Sequence, residues 1–169
     1  MNKPWPSSYK VEAFLSEDGV YRYWLEIKWD EKLPMMAFVL WNPSKADHRI
    51  DDPTALRVVG FAKREGCGGV IIANLFAFRA TDPKQMMSAE KNGTDIIGPS
   101  NFPTLLDIPE RAHKVVVGWG AGVKDHEARK RFVDYMGSVR LWCLGTTQSG
   151  EPRHPLYLRA DAPLMRWPR

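Results

Sequence analysis

Cysteine is almost absent: two residues in 169, Cys67 and Cys143. They have no metal-ligand spacing and no partners for a disulfide framework. Cys143 reads as a small core residue in a strand, and Cys67 as lying beside a loop. No apolar run approaches the roughly 18 residues that a membrane span needs. The opening Met1-Asn2-Lys3-Pro4-Trp5-Pro6 lacks the apolar centre of a signal peptide, so a cytoplasmic setting and no membrane partner are expected. No long block of one charge occurs. The basic residues are spread over Lys63-Arg64, Arg129-Lys130-Arg131 and the C-terminal segment, and a formal charge of +4 leans towards an anionic partner. Internal repeats and low-complexity segments are missing. So are GxSxG, HExxH, CxxC, GK[ST] and GxGxxG, which leaves the common hydrolase, zinc, Walker and dinucleotide readings without support. No metal and no cofactor is expected.

What is present is an ordinary globular composition, 44% hydrophobic and 26% charged, with seven Trp. The length suits one domain, residues 1–169. It divides into a Pro- and Ser-rich, loosely held arm over 1–9, a hairpin over 10–29 and an α/β core over 35–165. Most Trp of such an excess serve as core anchors, and some as stacking faces. Asp18-Gly19 between two strand-like segments is a hairpin signal. In the second segment Tyr21, Tyr23, Leu25, Ile27 and Trp29 alternate with Arg22, Trp24, Glu26 and Lys28. The second set is therefore expected on the wetter face.

Four apolar runs follow at long spacing: Met35–Trp41, Gly69–Leu75, Lys114–Val117 and Val139–Leu144. Helical patterns separate them. Asp52-Pro53 opens the first, with Leu56, Val59, Gly60 and Ala62 on its inner face. Asp82-Pro83 opens a short second one. Others are expected over 102–111 and 123–136. The rhythm predicts a three-layer αβα sandwich around a mostly parallel four-stranded sheet, extended by the antiparallel N-terminal hairpin. Ligands of such sheets bind outside the carboxyl ends of the strands. Asn42, Ser44, Asn74, Arg79, Trp119, Gly120 and Thr146 fall there, with Arg153 and His154 just beyond.

These residues suggest chemistry. His154 lies in a loop stiffened by Pro152 and Pro155, where a neutral imidazole can donate to an oxygen that turns negative as a bond breaks. Arg153 can steady a phosphate or a developing anion. Asn42, held by Pro43, can read a base edge or position a water. Asn74 ends an otherwise apolar strand and needs polar partners. Asp52 is committed to a helix cap, so Asp47 or Asp51 is the better carboxylate to activate water. The glycines around Gly120 allow close approach of backbone to a ligand. They serve equally as a plain tight turn.

Taken in order, Ala37–Asp47, Asp51-Asp52-Pro53-Thr54, Asn74–Pro83, Gly118-Trp119-Gly120 and Pro152–Leu158 closely resemble a bacterial and phage family of unknown function, DUF1643, over roughly residues 20 to 165. A more distant resemblance is to the uracil-DNA glycosylase superfamily. Asn42-Pro43-Ser44 is similar to its early Asn-Pro-Gly motif, and His154-Pro155 to its late His-Pro motif. His-Pro is followed here by Leu156-Tyr157, where that superfamily has Ser-Pro. The resemblance implies a uracil-DNA-glycosylase-like fold and cleavage of an N-glycosidic bond. Asn42 would then position water, His154 would stabilise the leaving base, Asn74 would recognise it, and Phe76 or Phe78 would stack on it. The implied partner is DNA or a small molecule that carries a nucleobase. A hydrolase or transferase for another small anionic metabolite, and a non-catalytic nucleotide-binding module, are the alternatives. The oligomeric state is open.

Overall fold

A computed structural model describes residues 3–44 and 50–168. The central strand is β3 (Met35–Leu40), released by Pro34 and buried along almost its whole length. It pairs in parallel with β4 (Gly69–Asn74) on one side and β5 (Lys114–Val117) on the other. β5 in turn pairs in parallel with β6 (Leu141–Cys143). The hairpin of β1 (Lys10–Leu15) and β2 (Arg22–Lys28) joins the sheet antiparallel to β4. A two-residue strand, β7 (Met165–Arg166), adds antiparallel to β6 and completes a seven-stranded sheet in the order β1-β2-β4-β3-β5-β6-β7. Strands consecutive in the chain with no α-helix between them run antiparallel, and consecutive strands joined by α-helical crossovers run parallel.

Two layers cover the sheet. On one face α1 (Pro53–Arg64) packs Ala55, Val58, Phe61 and Ala62 against Phe38, Leu40, Val70 and Ile72. On the other, α2 (Pro83–Lys91), α3 (Asn101–Arg111) and α4 (Glu127–Met136) bury Met86, Leu105, Ile108, Phe132 and Met136 over Ala37, Val39 and Ile71. The three-layer arrangement is the expected one. Cys67 and Cys143 are both buried free thiols. Among the described residues no helix is long and apolar enough to cross a membrane.

Several details depart from the sequence reading. The inner face of α1 is turned by one position. Leu56 is 48% exposed, while Ala55 and Val58 are buried. Pro53 and the Asp52 cap fix where the helix starts, and the 3.6-residue period then carries positions 55, 58, 59 and 62 inward. A 3₁₀ turn over Ala121–Val123 precedes α4, which starts only after His126 caps it through its ring nitrogen. β7 carries no alternating pattern because two residues are too few to show one. Its neighbour Trp167 is nevertheless buried and donates its indole N–H to Gly150 O at 3.0 Å. The arm is docked along residues 3–9. Lys3 exchanges backbone and side-chain bonds with Asp51, Pro4 bridges to Ile50, and Tyr9 packs between Trp5 and Trp29.

Candidate functional site

The chain leaves β3 towards β4 on one side and later returns to place β5 on the other. The carboxyl ends of β3 and β5 therefore splay apart, and a crevice opens between the loops that follow them. A cavity of about 410 Å³ lies there. Leu40, Trp41 and Asn42 from the end of β3, Ile72 and Asn74 from β4, Trp119 and Gly120 after β5, the α1 entrance, and the 153–157 loop form its walls. Gly118 permits this loop to close in. A Cβ there would come within 2.9 Å of Pro155 Cδ and 3.1 Å of Leu40 Cδ2. Gly122 likewise accepts the Trp41 ring, which a Cβ would meet at 2.3 Å.

Asn74 points to the α1 side of the sheet, in line with Val70 and Ile72. It is 1% exposed, and its amide Nδ2 has no hydrogen-bond partner among the described residues. A buried donor left unpaired costs about 1–3 kcal/mol, a cost that a ligand acceptor removes. The bend after Asn74 is held from the opposite face by Asn101. Its Nδ2 donates to Asn74 O at 3.1 Å and to Leu75 O at 2.9 Å. Asn42 spends its Nδ2 on Ala80 O at 2.9 Å and Pro43 O at 3.2 Å. These bonds tie the β3 loop to the β4 loop and leave Oδ1 as the group suited to accept from water or ligand. Ser44 donates to Asp52 Oδ2 at 2.6 Å, and Asp52 Oδ1 accepts from Ala55 N at 2.7 Å. Asp52 is thus both the cap of α1 and the carboxylate on the cavity wall.

His154 faces this carboxylate. Burial pulls its pKa down to about 4, with the Asp52 charge partly opposing. At neutral pH the ring is therefore uncharged. Its Nδ1 accepts from Leu156 N at 3.4 Å, which assigns the ring proton to Nε2 and makes that nitrogen a donor. A stability consequence follows from the sign of the shift. An unfolded His titrates near 6.5, so between pH 6.5 and 4 the unfolded chain holds the extra proton. His154 should cost nothing above pH 6.5 and destabilise the fold progressively as the pH falls to 4, by about 3 kcal/mol in all. Stability curves of wild type and His154→Gln, measured by denaturant melts from pH 7.5 to 4, should converge or cross in the variant's favour. Parallel curves would refute the depressed pKa.

Behind the cavity a buried charge network fixes the loop. Glu151, 2% exposed, accepts the Trp119 indole N–H at 2.7 Å, and Arg129 grips both its oxygens at 2.7 and 3.2 Å. Gly120 N donates to Pro152 O at 2.8 Å, and Arg153 N to Gly145 O at 2.9 Å. Trp119 therefore lines the wall with its N–H already committed.

Of the residues singled out in the sequence, Asn42, Ser44, Asn74, Trp119, Gly120, Arg153 and His154 meet at this cavity. Phe76, Phe78 and Arg79 do not. The strand ends at Asn74 and the chain bends, which sends Phe76 into the opposite core beside the His126 ring at 4.7 Å. Phe78 packs beside Tyr21, and Arg79 donates to Gly19 O at 3.1 Å in the hairpin turn. Asp47 lies outside the described residues. The cavity also includes Arg22, Trp41, Thr147 and Tyr157, which the sequence reading did not place there. Arg22 is 3% exposed, against the expectation of a wet face. Among the described residues no group of three or more His, Cys, Asp or Glu side chains converges to hold a metal ion.

Fold and cavity together define an α/β protein with a cavity at the carboxyl ends of its parallel strands. The chain belongs to the family described as "Protein of unknown function (DUF1643)", whose sequence model matches residues 22–156. No curated protein and no solved structure matches it significantly.

Proposed function

We propose that this protein is an N-glycosidase that holds a nucleobase in the cavity between Asn42, Asn74 and His154. The observation that carries the reading is Asn74: a fully buried amide donor without a partner among the described residues, on the wall of a cavity with an apolar Trp41 face and an uncharged His donor. Such a set suits a flat heterocycle with acceptors on its edge. The motif resemblances of Asn42-Pro43-Ser44 and His154-Pro155 point the same way.

In this mechanism Asn74 Nδ2 donates to an acceptor of the base. The bond between the sugar carbon and the base nitrogen breaks, and its electron pair moves onto the base. His154 Nε2–H donates to the base oxygen that takes up this charge, and keeps its proton. A water accepted by Asn42 Oδ1 forms the new carbon–oxygen bond. One water proton finishes on the sugar hydroxyl and the other on the released base, so the sum is addition of water across the bond. An uncharged His is the right form for this work. An imidazolium would require a proton that a pKa near 4 does not retain at pH 7.

The test is free-base release, followed by chromatography, from nucleosides, nucleotides and short single- and double-stranded DNA. Release from one member, together with a thermal shift by the same member, supports the reading. Binding without release would make the protein a nucleotide-binding module. A silent panel would overturn the nucleobase assignment.

A further inference from the structure

A second, smaller cavity of about 290 Å³ opens beside the first, and the two share Trp41 and Pro83 as a common wall. Its remaining lining comes from one side of α2: Lys84, Met87, Ser88 and Lys91. Trp41 and Met87 give the lining its apolar part, and Lys84, Ser88 and Lys91 its polar part. Among the described residues no carboxylate lines it. The acids nearest in sequence are engaged elsewhere. Asp82 accepts Lys84 N as the cap of α2, and Glu90 meets His126 Nε2 at 3.0 Å. Neither Lys84 nor Lys91 makes a salt bridge among the described residues, so both cations are available to an incoming anion.

Trp41 makes the connection physical. One edge of its ring is packed over Gly122, and its indole nitrogen is buried without a partner among the described residues. The ring thus forms a fixed partition, with the Asn74 and His154 donors on one side and the α2 lysines on the other. A ligand that fills both spaces has a flat uncharged part and an anionic part, joined across the edge of the partition. A nucleoside carrying a phosphate is a molecule of that shape.

We infer that the cavity lined by Lys84, Ser88 and Lys91 is a phosphate subsite, and that the substrate of the neighbouring site is a phosphorylated nucleoside rather than a free one. The inference rests on the nucleobase reading above. The lysines contribute point charge with three rotatable donors each, which tolerates either a terminal phosphate or the diester of a strand. Because the site is open to solvent, its contribution is salt-dependent.

The experiment is binding of the common deoxynucleosides, their 3′- and 5′-monophosphates and single-stranded trinucleotides by isothermal titration. Wild type and Lys84→Ala/Lys91→Ala are compared at two salt concentrations. Both side chains are exposed, and thermal melting checks that the variant keeps its fold. For wild type a monophosphate is expected to bind about 10-fold or more tightly than its nucleoside, and the variant should bring that ratio close to one. For a trinucleotide the double substitution should flatten the slope of log K against log salt by about 1.4, from two lost contacts at about 0.7 each. A trinucleotide that exceeds the monophosphate identifies a strand as the source of the phosphate. Equal affinities identify a mononucleotide. A wild-type ratio near one overturns the subsite. So does a ratio that survives in the variant, with the phosphate then held elsewhere, and in both cases the base pocket still stands. Absence of binding by every nucleoside and nucleotide overturns both readings together.

Discussion

His154→Ala is expected to lower free-base release by about 10²–10³-fold while the affinity for substrate changes little. That is the cost of removing one preorganised donor aimed at developing negative charge. The loss falls on the rate because the charge at the base oxygen exists only as the glycosidic bond breaks. The substitution leaves the fold largely in place. The ring contributes only a 3.4 Å bond to Leu156 N at the start of a short 3₁₀ turn, and prolines at 152 and 155 hold that turn independently. His154→Gln retains an N–H donor of similar reach and should recover part of the rate. The pH profile carries a second signature. Release should stay level from pH 8 to 5 and decline only as the pH approaches 4, where the ring gains its proton. An alanine variant as fast as wild type would remove His154 from the mechanism. A rate limb near pH 6.5 would mean an ordinary, solvated His.

The largest effect on stability is expected at Glu151, which touches no substrate. Glu151→Ala should destabilise the protein by about 3–5 kcal/mol, the usual result of breaking a buried ion pair from one side. At this chain length that corresponds to a fall in Tm of roughly 10 °C. Two groups lose their acceptor at once. The Trp119 indole N–H is fully buried, and the Arg129 guanidinium is only 19% exposed with its face over Trp167. Glu151→Gln keeps an oxygen for Trp119 but loses the charge that matches Arg129, so an intermediate loss is expected. In a double-mutant cycle, Arg129→Met should cost much less in the Glu151→Ala background than alone, since the stranded charge is then gone. Additive losses would show that the pair does not act as a unit. Because Pro152 and Arg153 are anchored beside Glu151, loosening this network should also widen the His154 loop and weaken ligand binding.

Much of the architecture was legible because its signals are local. Asp18-Gly19 marks a hairpin by turn chemistry alone, and Asp52-Pro53 and Asp82-Pro83 mark helix starts by cap and φ preference. Apolar runs of four to seven residues between helical patterns mark buried parallel strands. From these the position of the cavity followed without any knowledge of side-chain contacts. A parallel sheet collects the ends of its strands on one edge, and Asn42, Asn74, Gly120 and His154 all fall on that edge.

Where the reading failed, the deciding quantity was non-local. Alternation placed Arg22 on the wet face. The register shift between Phe14 and Leu15 and the Tyr21–Phe78 bridge instead carry the start of β2 over the cavity. Phe76 and Phe78 keep the parity of Asn74 on paper. The strand stops at Asn74, however, and a bend held by Asn101 from α3 breaks that parity. Glu151 carried no visible signal, because its partners Trp119 and Arg129 lie 32 and 22 residues away.

By itself, the sequence determined the class of fold, the edge of the sheet where the cavity opens and most of the polar residues gathered there. Each of these depends on periods of 2 and 3.6 residues and on the conformational limits of Gly, Pro and Asp. Tertiary structure alone decided which of those side chains face the cavity, that the Asn74 Nδ2 has no partner among the described residues, and that His154 is uncharged. Burial and partnership belong to atoms brought together from distant parts of the chain, and no local period encodes them.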